Sequence, residues 1–207
     1  MKMGYILRKN KNPAGLNNLI KMQQLDKNTQ KEALFIARKT LTVILAEKKP
    51  FLITTKNNAL KKPLGIFITL YKKGKVCGCA GFYETTLPLF LAIQYAVALV
   101  LKEDFRFGPI AQGDKNQINI EISIIFKITK VKDWHNIVIG KHGIIIKKGW
   151  HKGGLLPHQI VDLGFNLEQT LLFICEEKVG LSGNCHKDLE TDIYVTQAQT
   201  FGEKLIN

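Results

Sequence analysis

Apolar residues recur at helical spacing in three parts of the chain. The first predicted helix begins at Thr29–Glu32, which has the spacing of a capping box. In a capping box, a hydroxyl and a carboxylate satisfy free amides at the helix start. This helix is expected to stop at Pro50. A second helix is predicted from about Pro88, a proline suited to a first turn. A third begins at Asn166 and ends near Gly180.

Other segments have the composition and alternation of β-strands. Gly65–Tyr71 and Lys75–Phe82 are joined by Lys72-Lys73-Gly74, a tight hairpin signal. Ile118–Phe126 is rich in β-branched residues and places four isoleucines on one face, with Glu121, Ser123 and their neighbours on the other. Asp192–Phe201 alternates in the same way.

The segment Gly140-Lys141-His142-Gly143 has two possible interpretations. Its Gly-x-x-Gly spacing matches the loop with which KH domains clamp a nucleic-acid backbone, but that loop joins two helices. Here it is flanked by Ile137–Ile139 and Ile144–Lys147, β-branched runs that favour strands, so a hairpin turn is predicted. Several hairpins broken by three helices, without a βαβ rhythm, predict an α+β fold.

The positive charge is concentrated in the first third of the chain. The 207 residues carry a net charge of +13, and residues 1–75, with 17 basic and three acidic residues, account for +14. Residues 1–24 contain no acid and are predicted to be a basic N-terminal arm, with the folded domain over residues 25–207. Such asymmetry is typical of nucleic-acid binding, but 27 of the 30 basic residues are lysines rather than bidentate arginines. We therefore expect nucleic-acid binding to be possible but weak.

The composition indicates a globular protein outside the membrane. The longest apolar run, Leu87–Leu101, is interrupted by Pro88, Gln94 and Tyr95, and no hydrophobic stretch follows the basic N-terminal residues as in a secretory signal. The four cysteines are too few for a disulfide scaffold in a chain of this length. We expect a cytoplasmic protein in which Cys77 and Cys79 are reduced and are not bridged to each other.

A series of motifs, in order along the chain, resembles the AMMECR domain family of the AmmeMemoRadiSam system. The family's Leu-Arg-Gly-Cys-Ile-Gly strand stands here as Val76–Gly81, and its Asp-Pro-Arg-Phe-Pro-Pro stands as Asp104–Pro109. The series continues with Glu121-Ile122-Ser123, Gly140–Gly143, Leu155-Leu156-Pro157 with Gly164, Lys178–Leu181 and Phe201-Gly202-Glu203. The resemblance covers about residues 30–203, and the ordered set of motifs is more specific than any one of them.

The resemblance implies an α+β fold of antiparallel sheets with flanking helices, in two interleaved subdomains around a cleft near the signature strand. It implies radical-SAM and Memo-like proteins as partners, and it implies no single biochemical activity. Three positions depart from the family pattern: Cys77 replaces an arginine, Ala80 an isoleucine and His158 a glutamine. Without that arginine, a family function that used its guanidinium to clamp an anion is not expected here.

The candidate site centres on Cys79. Cys77 and Cys79 lie two apart on a predicted strand, so we expect both side chains on one face, while Gly78 and Gly81 would let a ligand approach the backbone. A cysteine nucleophile needs a nearby base or cation, and Glu121 is the second candidate catalytic residue. The remaining predicted ligand-binding residues are Arg106, Ser123, His142 and His158, with Arg106 expected to pair with Glu121 at the cleft edge.

No metal or cofactor is predicted. Cys77, Cys79 and the pair Cys185-His186 do not have the two-to-four-residue ligand spacing of structural zinc sites. Three functions are compatible with the sequence, and we give them with the most expected first. They are a ligand- or partner-binding protein with its site at Cys79, an enzyme using Cys79 or Glu121 on a small or modified molecule, and a nucleic-acid-binding protein using the basic first third.

Overall fold

The computed structural model describes residues 24–46, 52–104 and 106–203. The predicted basic arm lies outside these ranges except for its last residue, and so does Pro50. None of the helices in the described ranges is long and apolar enough to cross a membrane.

Four helices and six strands make up the described chain, and they confirm the α+β prediction. The helices are α1 (Lys27–Leu45), α2 (Leu89–Glu103), α3 (Pro157–Leu163) and α4 (Leu167–Phe173). The strands are β1 (Gly65–Lys72), β2 (Lys75–Phe82), β3 (Ile118–Lys130), β4 (Gly143–Lys148), β5 (His151–Leu155) and β6 (Asp192–Gly202). Short 3₁₀ turns occupy Asn58–Lys61, Gln112–Asp114, Trp134–Asn136 and Cys185–Lys187.

All six strands belong to one antiparallel sheet in the order β2-β1-β3-β6-β4-β5. The predicted hairpin of β1 and β2 is confirmed. Its two turn residues, Lys73 and Gly74, both have positive φ, as the turn that matches strand twist requires. Strands β2 and β5 form the two edges of the sheet.

Two hydrophobic cores pack along this sheet. In the first, α1 and α2 cover β1 and β3, and the four isoleucines Ile118, Ile120, Ile122 and Ile124 are all buried in it, which confirms that they share a face. In the second, α3 and α4 pack with β4, β5 and β6 around residues such as Ile144, Ile160 and Leu171. The groove described below lies where the elements of the two cores meet.

The start of α1 differs from the predicted capping box. The N-cap is Asp26, whose side chain accepts a hydrogen bond from the Thr29 N–H at 2.8 Å, so the helix starts three residues earlier than expected. Glu32 instead accepts hydrogen bonds from Thr55 and, at 3.1 Å, from Asn57, and so ties the loop before β1 to the helix.

The hairpin predicted at Gly140–Gly143 is wrong. The residues before it form no strand, because the carbonyl of Val138 accepts bonds from the N–H groups of Lys141 and His142, and its N–H donates to His142 Nδ1 at 3.1 Å. These local bonds use the groups that a strand ladder would need. The hairpin partner of β4 is β5, joined to it by Gly149 and Trp150.

The third predicted helix is confirmed at both ends but contains a change of geometry. Asn166 and Gln169 form a reciprocal capping box, and Gly180 ends the segment in a left-handed conformation. Between them, α4 passes into a π-helical segment, Ile174–Val179. The helix α3 was not predicted from the sequence.

The four cysteines form one bridged pair and one free pair, and the free pair is the one predicted to be reduced. Cys175 in the π-helical segment is joined by a disulfide to Cys185, with a Cα–Cα separation of 5.8 Å that such a bond readily spans. Cys77 and Cys79 are free and are not bridged to each other.

Candidate functional site

Two adjoining cavities form one groove between the outer face of β1 and β2 and the elements β5, α3 and α4. Their volumes are about 250 and 270 Å³. They share four lining residues, Cys79, Leu155, Gln159 and Lys178, and we call the whole the Cys79 groove. Its Arg106 side also includes Phe67, Tyr83, Arg106, Lys152, Gly153, Gly154 and Leu156. Its His158 side also includes Thr69, Tyr71, Val76, His158, Asp162, Leu163 and Phe173.

A β-bulge in β2 directs Cys79 into this groove. Leu70 of β1 pairs with Gly78, and Tyr71 pairs with Val76, so Cys77 is the extra residue. The prediction that Cys77 and Cys79 share a face is therefore wrong, because the bulge interrupts the two-residue alternation. Cys77 packs against the first core, and its thiol donates a hydrogen bond to the carbonyl oxygen of Leu70. Cys79 faces the groove.

Asp104 and Arg106 hold the backbone of Cys79 at the sheet edge. The Cys79 N–H donates to Asp104 Oδ2 at 2.7 Å, and Arg106 Nη2 donates to the Cys79 carbonyl oxygen at 2.8 Å. Arg106 also pairs with Asp104 through Nε and Nη2 at 2.7 and 2.9 Å. The predicted Arg106–Glu121 pair is thus wrong, because the nearer carboxylate of Asp104 binds the guanidinium in a planar, two-point arrangement.

This arrangement sets the charge state of Asp104. Burial raises the pKa of its carboxyl, but the hydrogen bonds from Arg106 and from the Cys79 N–H outweigh burial and hold the pKa below its usual range. The hydrogen bond with Asp104 in turn raises the pKa of Arg106. The two side chains therefore form a stable ion pair whose remaining guanidinium surface lines the groove.

The Cys79 side chain lies in a weakly polar environment. Thr69 Oγ1 donates to its sulfur at 3.4 Å. Burial raises the pKa of the thiol, and the Thr69 hydrogen bond and the charge of Arg106 offset that only in part. At neutral pH the group is therefore a thiol rather than the thiolate that a nucleophile requires.

Glu121 and His158 form a polar cluster on the other side of the groove. Thr69 of β1 pairs with Cys79 on one side and Glu121 on the other, so these two residues lie about 10 Å apart, two strand spacings. Glu121 Oε1 lies 3.5 Å from His158 Nε2 and accepts from the Tyr71 hydroxyl at 3.2 Å. Burial and the charge of Glu121 raise the pKa of Tyr71 to about 12.

Ser123 belongs to this cluster only indirectly. Its hydroxyl bonds to Thr200 Oγ1 at 2.8 Å, and Thr200 Oγ1 lies 3.3 Å from His158 Nδ1. Ser123 itself is buried, so Thr200 and His158 separate it from the groove.

The remaining predicted site residues do not reach the groove. A Cβ on Gly78 would lie 2.5 Å from Val100 Cγ1 of α2, and one on Gly81 would collide with the backbone of Ile66. These glycines therefore allow close packing of the protein on itself rather than approach of a ligand. His142 caps the turn before β4, and burial lowers its pKa.

Three lining residues, Lys152, Gln159 and Lys178, were not among the residues predicted from the sequence, and neither was Asp104, which binds the Cys79 N–H. Lys178 and Asp104 stand inside the motifs Lys178–Leu181 and Asp104–Pro109, so the motifs contained a signal for them. Lys152 and Gln159 lie outside the motifs that were recognised. They reach the groove only through the pairing of β5 with β4 and the start of α3.

A second cavity of about 250 Å³, between α1 and α2, is less suited to specific binding. Its lining is mostly apolar and includes Leu52, Tyr95 and Ala98. Its amide side chain, Gln94, is fully engaged with the Ile53 backbone and with the Phe90 carbonyl. The Cys79 groove therefore offers more polar groups to fix a ligand's orientation than this cavity, where the Tyr95 hydroxyl is the main one left.

The fold and the groove place this protein among α+β proteins with one antiparallel sheet and helices around a cleft. The AMMECR1 family model matches residues 34–201, and the chain belongs to the AMMECR1 family.

Related proteins agree with this assignment. A protein of Methanothermobacter thermautotrophicus is 34% identical over 145 residues, which cover 67% of this chain and 75% of that protein. Protein MJ0810 of Methanocaldococcus jannaschii is 32% identical over 186 residues, which cover 84% of this chain and 92% of that protein. The crystal structure of the uncharacterized protein PH0010 from Pyrococcus horikoshii superimposes with a TM-score of 0.78 at 26% identity, covering 83% of this chain and 90% of that one.

Proposed function

We propose that this protein is a ligand-binding component that takes up a small organic molecule in the Cys79 groove. The observation that carries the proposal is the convergence of separate elements on Cys79. β1 and β2 form one wall, β5 and α3 the other, and the π-helical segment contributes Lys178. π-Helical turns and β-bulges are common next to functional sites because they redirect single side chains. Here the bulge in β2 directs Cys79 into the groove, and the π-helical segment directs Lys178 into the same groove.

The partners in this proposal are a radical-SAM protein and a Memo-like protein, acting in the cytoplasm. The support for them is the family resemblance of the signature strand, which contains Cys79. Co-purification of the three proteins after co-expression tests this part. Retention of either partner by the wild-type chain supports it, and the absence of both contradicts it.

Ligand-observed NMR with a library of small organic fragments tests the groove itself. Cys79→Trp and Gln159→Trp each place a large ring in the groove from opposite walls, while Ala98→Trp fills the cavity between α1 and α2 and is the matched control. We expect fragments that bind the wild-type protein and the Ala98→Trp variant but are lost from both groove variants. Fragments that are lost only from Ala98→Trp, or a library with no binders, would contradict the proposal.

An enzymatic function is the second candidate, favoured by the polar cluster of Tyr71, Glu121 and His158 on the His158 side of the groove. A carboxylate beside an imidazole is a common acid-base arrangement. The raised pKa of Cys79 argues against a nucleophilic role for that thiol, so Glu121 and His158 are the residues expected to move protons in this alternative.

A further inference from the structure

The Arg106 side of the groove is lined by three cationic side chains from three separate elements. Arg106 follows α2, Lys152 lies on β5, and Lys178 lies in the π-helical segment. Among the described residues that line this side, none is an aspartate or glutamate. Positive charges that share a confined space with little counter-charge attract anions.

The cations are only partly neutralised by the protein. Asp104 pairs with Arg106, but Arg106 Nη1 makes none of these bonds, which all involve Nε and Nη2. Lys152 Nζ has Glu84 at 3.5 Å, and that carboxylate is 71% exposed. Within the described part of the chain, Lys178 forms no ion pair, and its ammonium instead lies 5.4 Å from the centre of the Phe173 ring.

The hydrogen-bonding groups on this side are mostly donors. Gln159 accepts from the Leu156 N–H through its carbonyl oxygen at 2.9 Å, which leaves its NH₂ group directed to other partners. Ammonium and guanidinium groups donate and do not accept. A molecule that satisfies Lys152, Lys178, Arg106 and Gln159 must therefore supply several acceptor oxygens at one place.

The remaining lining is apolar and aromatic. Phe67 and Tyr83 pack edge to face, with ring centres 5.0 Å apart, and Leu155 and Leu156 lie on the opposite wall. The cavity volume of about 250 Å³ suits a small molecule. One end of the site thus favours an oxyanion, and the neighbouring surface favours a compact apolar group.

We propose that the Arg106 side of the Cys79 groove binds a small organic anion, with its phosphate or carboxylate group held by Lys152, Lys178 and Arg106 and its apolar part against Phe67 and Tyr83. This inference rests on the proposed ligand-binding function and names the class of ligand. Phosphate and carboxylate share the acceptor chemistry that the site requires, and the experiment separates them.

Isothermal titration calorimetry with matched aromatic probes tests the inference. Phenyl phosphate and benzoate carry the anion, and phenol and benzamide are their neutral counterparts. We expect one of the anions to bind the wild-type protein at least about tenfold more tightly than its neutral counterpart, with affinity that falls as salt rises. Tighter binding of phenyl phosphate or of benzoate identifies the preferred group.

Charge-removing variants locate the binding. Lys178→Gln and Lys152→Gln should each weaken anion binding about tenfold, since each loses a charged hydrogen bond. Lys187→Gln, whose side chain is exposed and pairs with Glu168, is the control and should bind like the wild-type protein. Two substitutions keep the test usable if one of them impairs folding.

Three results would overturn the inference. Equal affinity for anionic and neutral probes would remove the anion preference and leave the ligand-binding proposal in place, because binding to the groove would still be present. Equal loss or equal retention of anion binding in all three variants would show non-specific binding. No binding of any probe would also reject the anion site, while the fragment screen with the tryptophan variants decides the ligand-binding proposal separately.

Discussion

The carboxylate of Asp104 accepts a hydrogen bond from the backbone N–H of Cys79 at 2.7 Å, across 25 residues of sequence. Because β2 is an edge strand, this N–H would otherwise have no partner in the sheet. Arg106 satisfies the carbonyl of the same residue. The Asp104–Arg106 pair therefore protects the sheet edge and fixes the position from which Cys79 enters the groove.

Replacing Asp104 should destabilise the protein. Asp104→Asn removes the ion pair with Arg106 and weakens the bond to Cys79, and the Asp104 side chain is only 5% exposed. We expect a loss of about 2 kcal/mol in the free energy of unfolding, the usual scale of a hydrogen bond to a charged group. Denaturant unfolding measures it, with Asp188→Asn as control. Asp188 pairs with Lys148 at the surface, where water screens the pair, so its replacement should destabilise the protein clearly less than that of Asp104. Equal effects would contradict this role of Asp104.

The contribution of Asp104 should also depend on pH. Its pKa is lower in the folded protein than the ordinary value of 3.8, so its carboxylate stabilises the fold fully above that value and loses its effect as pH falls through the folded pKa. The difference in unfolding free energy between the wild-type protein and Asp104→Asn should stay constant from neutral pH to about pH 5 and shrink below about pH 4. Unfolding curves over this range measure it. A difference that grows in acid would contradict the assignment.

Cys79 should react slowly with alkylating reagents at neutral pH. In Cys77→Ala it is the only free thiol, since Cys175 and Cys185 form the disulfide. Because burial raises the pKa of Cys79, the alkylation rate should still be rising at pH 9. Thr69→Val removes a hydrogen bond that lowers this pKa, so it should slow the reaction further. Mass spectrometry of alkylated protein gives the rates, with the denatured chain as control. A rate that reaches its plateau near pH 7 would favour the nucleophilic enzyme instead.

Binding to nucleic acid should be weak and sensitive to salt. The described lysines of the first third lie on separate elements. Lys31 and Lys39 lie on α1, Lys61 on the 3₁₀ turn before β1, and Lys72 and Lys73 at the β1–β2 hairpin, where Lys72 pairs with Asp114 at 2.8 Å. Titration with short RNA and DNA at two salt concentrations should give micromolar or weaker affinity that disappears at about 150 mM salt. Nanomolar, sequence-selective binding at that salt would make nucleic-acid binding the leading function.

The sequence predicted elements whose signals are local. The β1–β2 hairpin, β3, β6 and the capping box at Asn166 each depend on residues within one short segment, and the structure confirms them. The segment at 137–139 has the same β-branched composition as a strand, but its backbone forms turn bonds instead. Strand β5 was missed because His151–Leu155 contains two glycines and only one large apolar residue, and it depends on pairing with β4.

The candidate site was predictable in its centre and less so in its walls. Cys79, Arg106 and His158 line the groove. The face of Cys77 could not be predicted, because a bulge shifts the alternation and leaves no sign in residue type. Lys152 and Lys178 come together only through the tertiary contact of β5 with the π-helical segment. Such a contact produces no periodic pattern of residues in the sequence, so it could not be predicted.

Amide chemical shift mapping of a fragment that binds the protein tests most directly whether the Cys79 groove is the ligand site. We predict the largest shifts at residues that line both sides of the groove, such as Cys79, Gln159 and Lys178. The same fragment should leave the Cys79→Trp spectrum unchanged. Shifts confined to the cavity between α1 and α2, around Tyr95 and Ala98, would contradict the account.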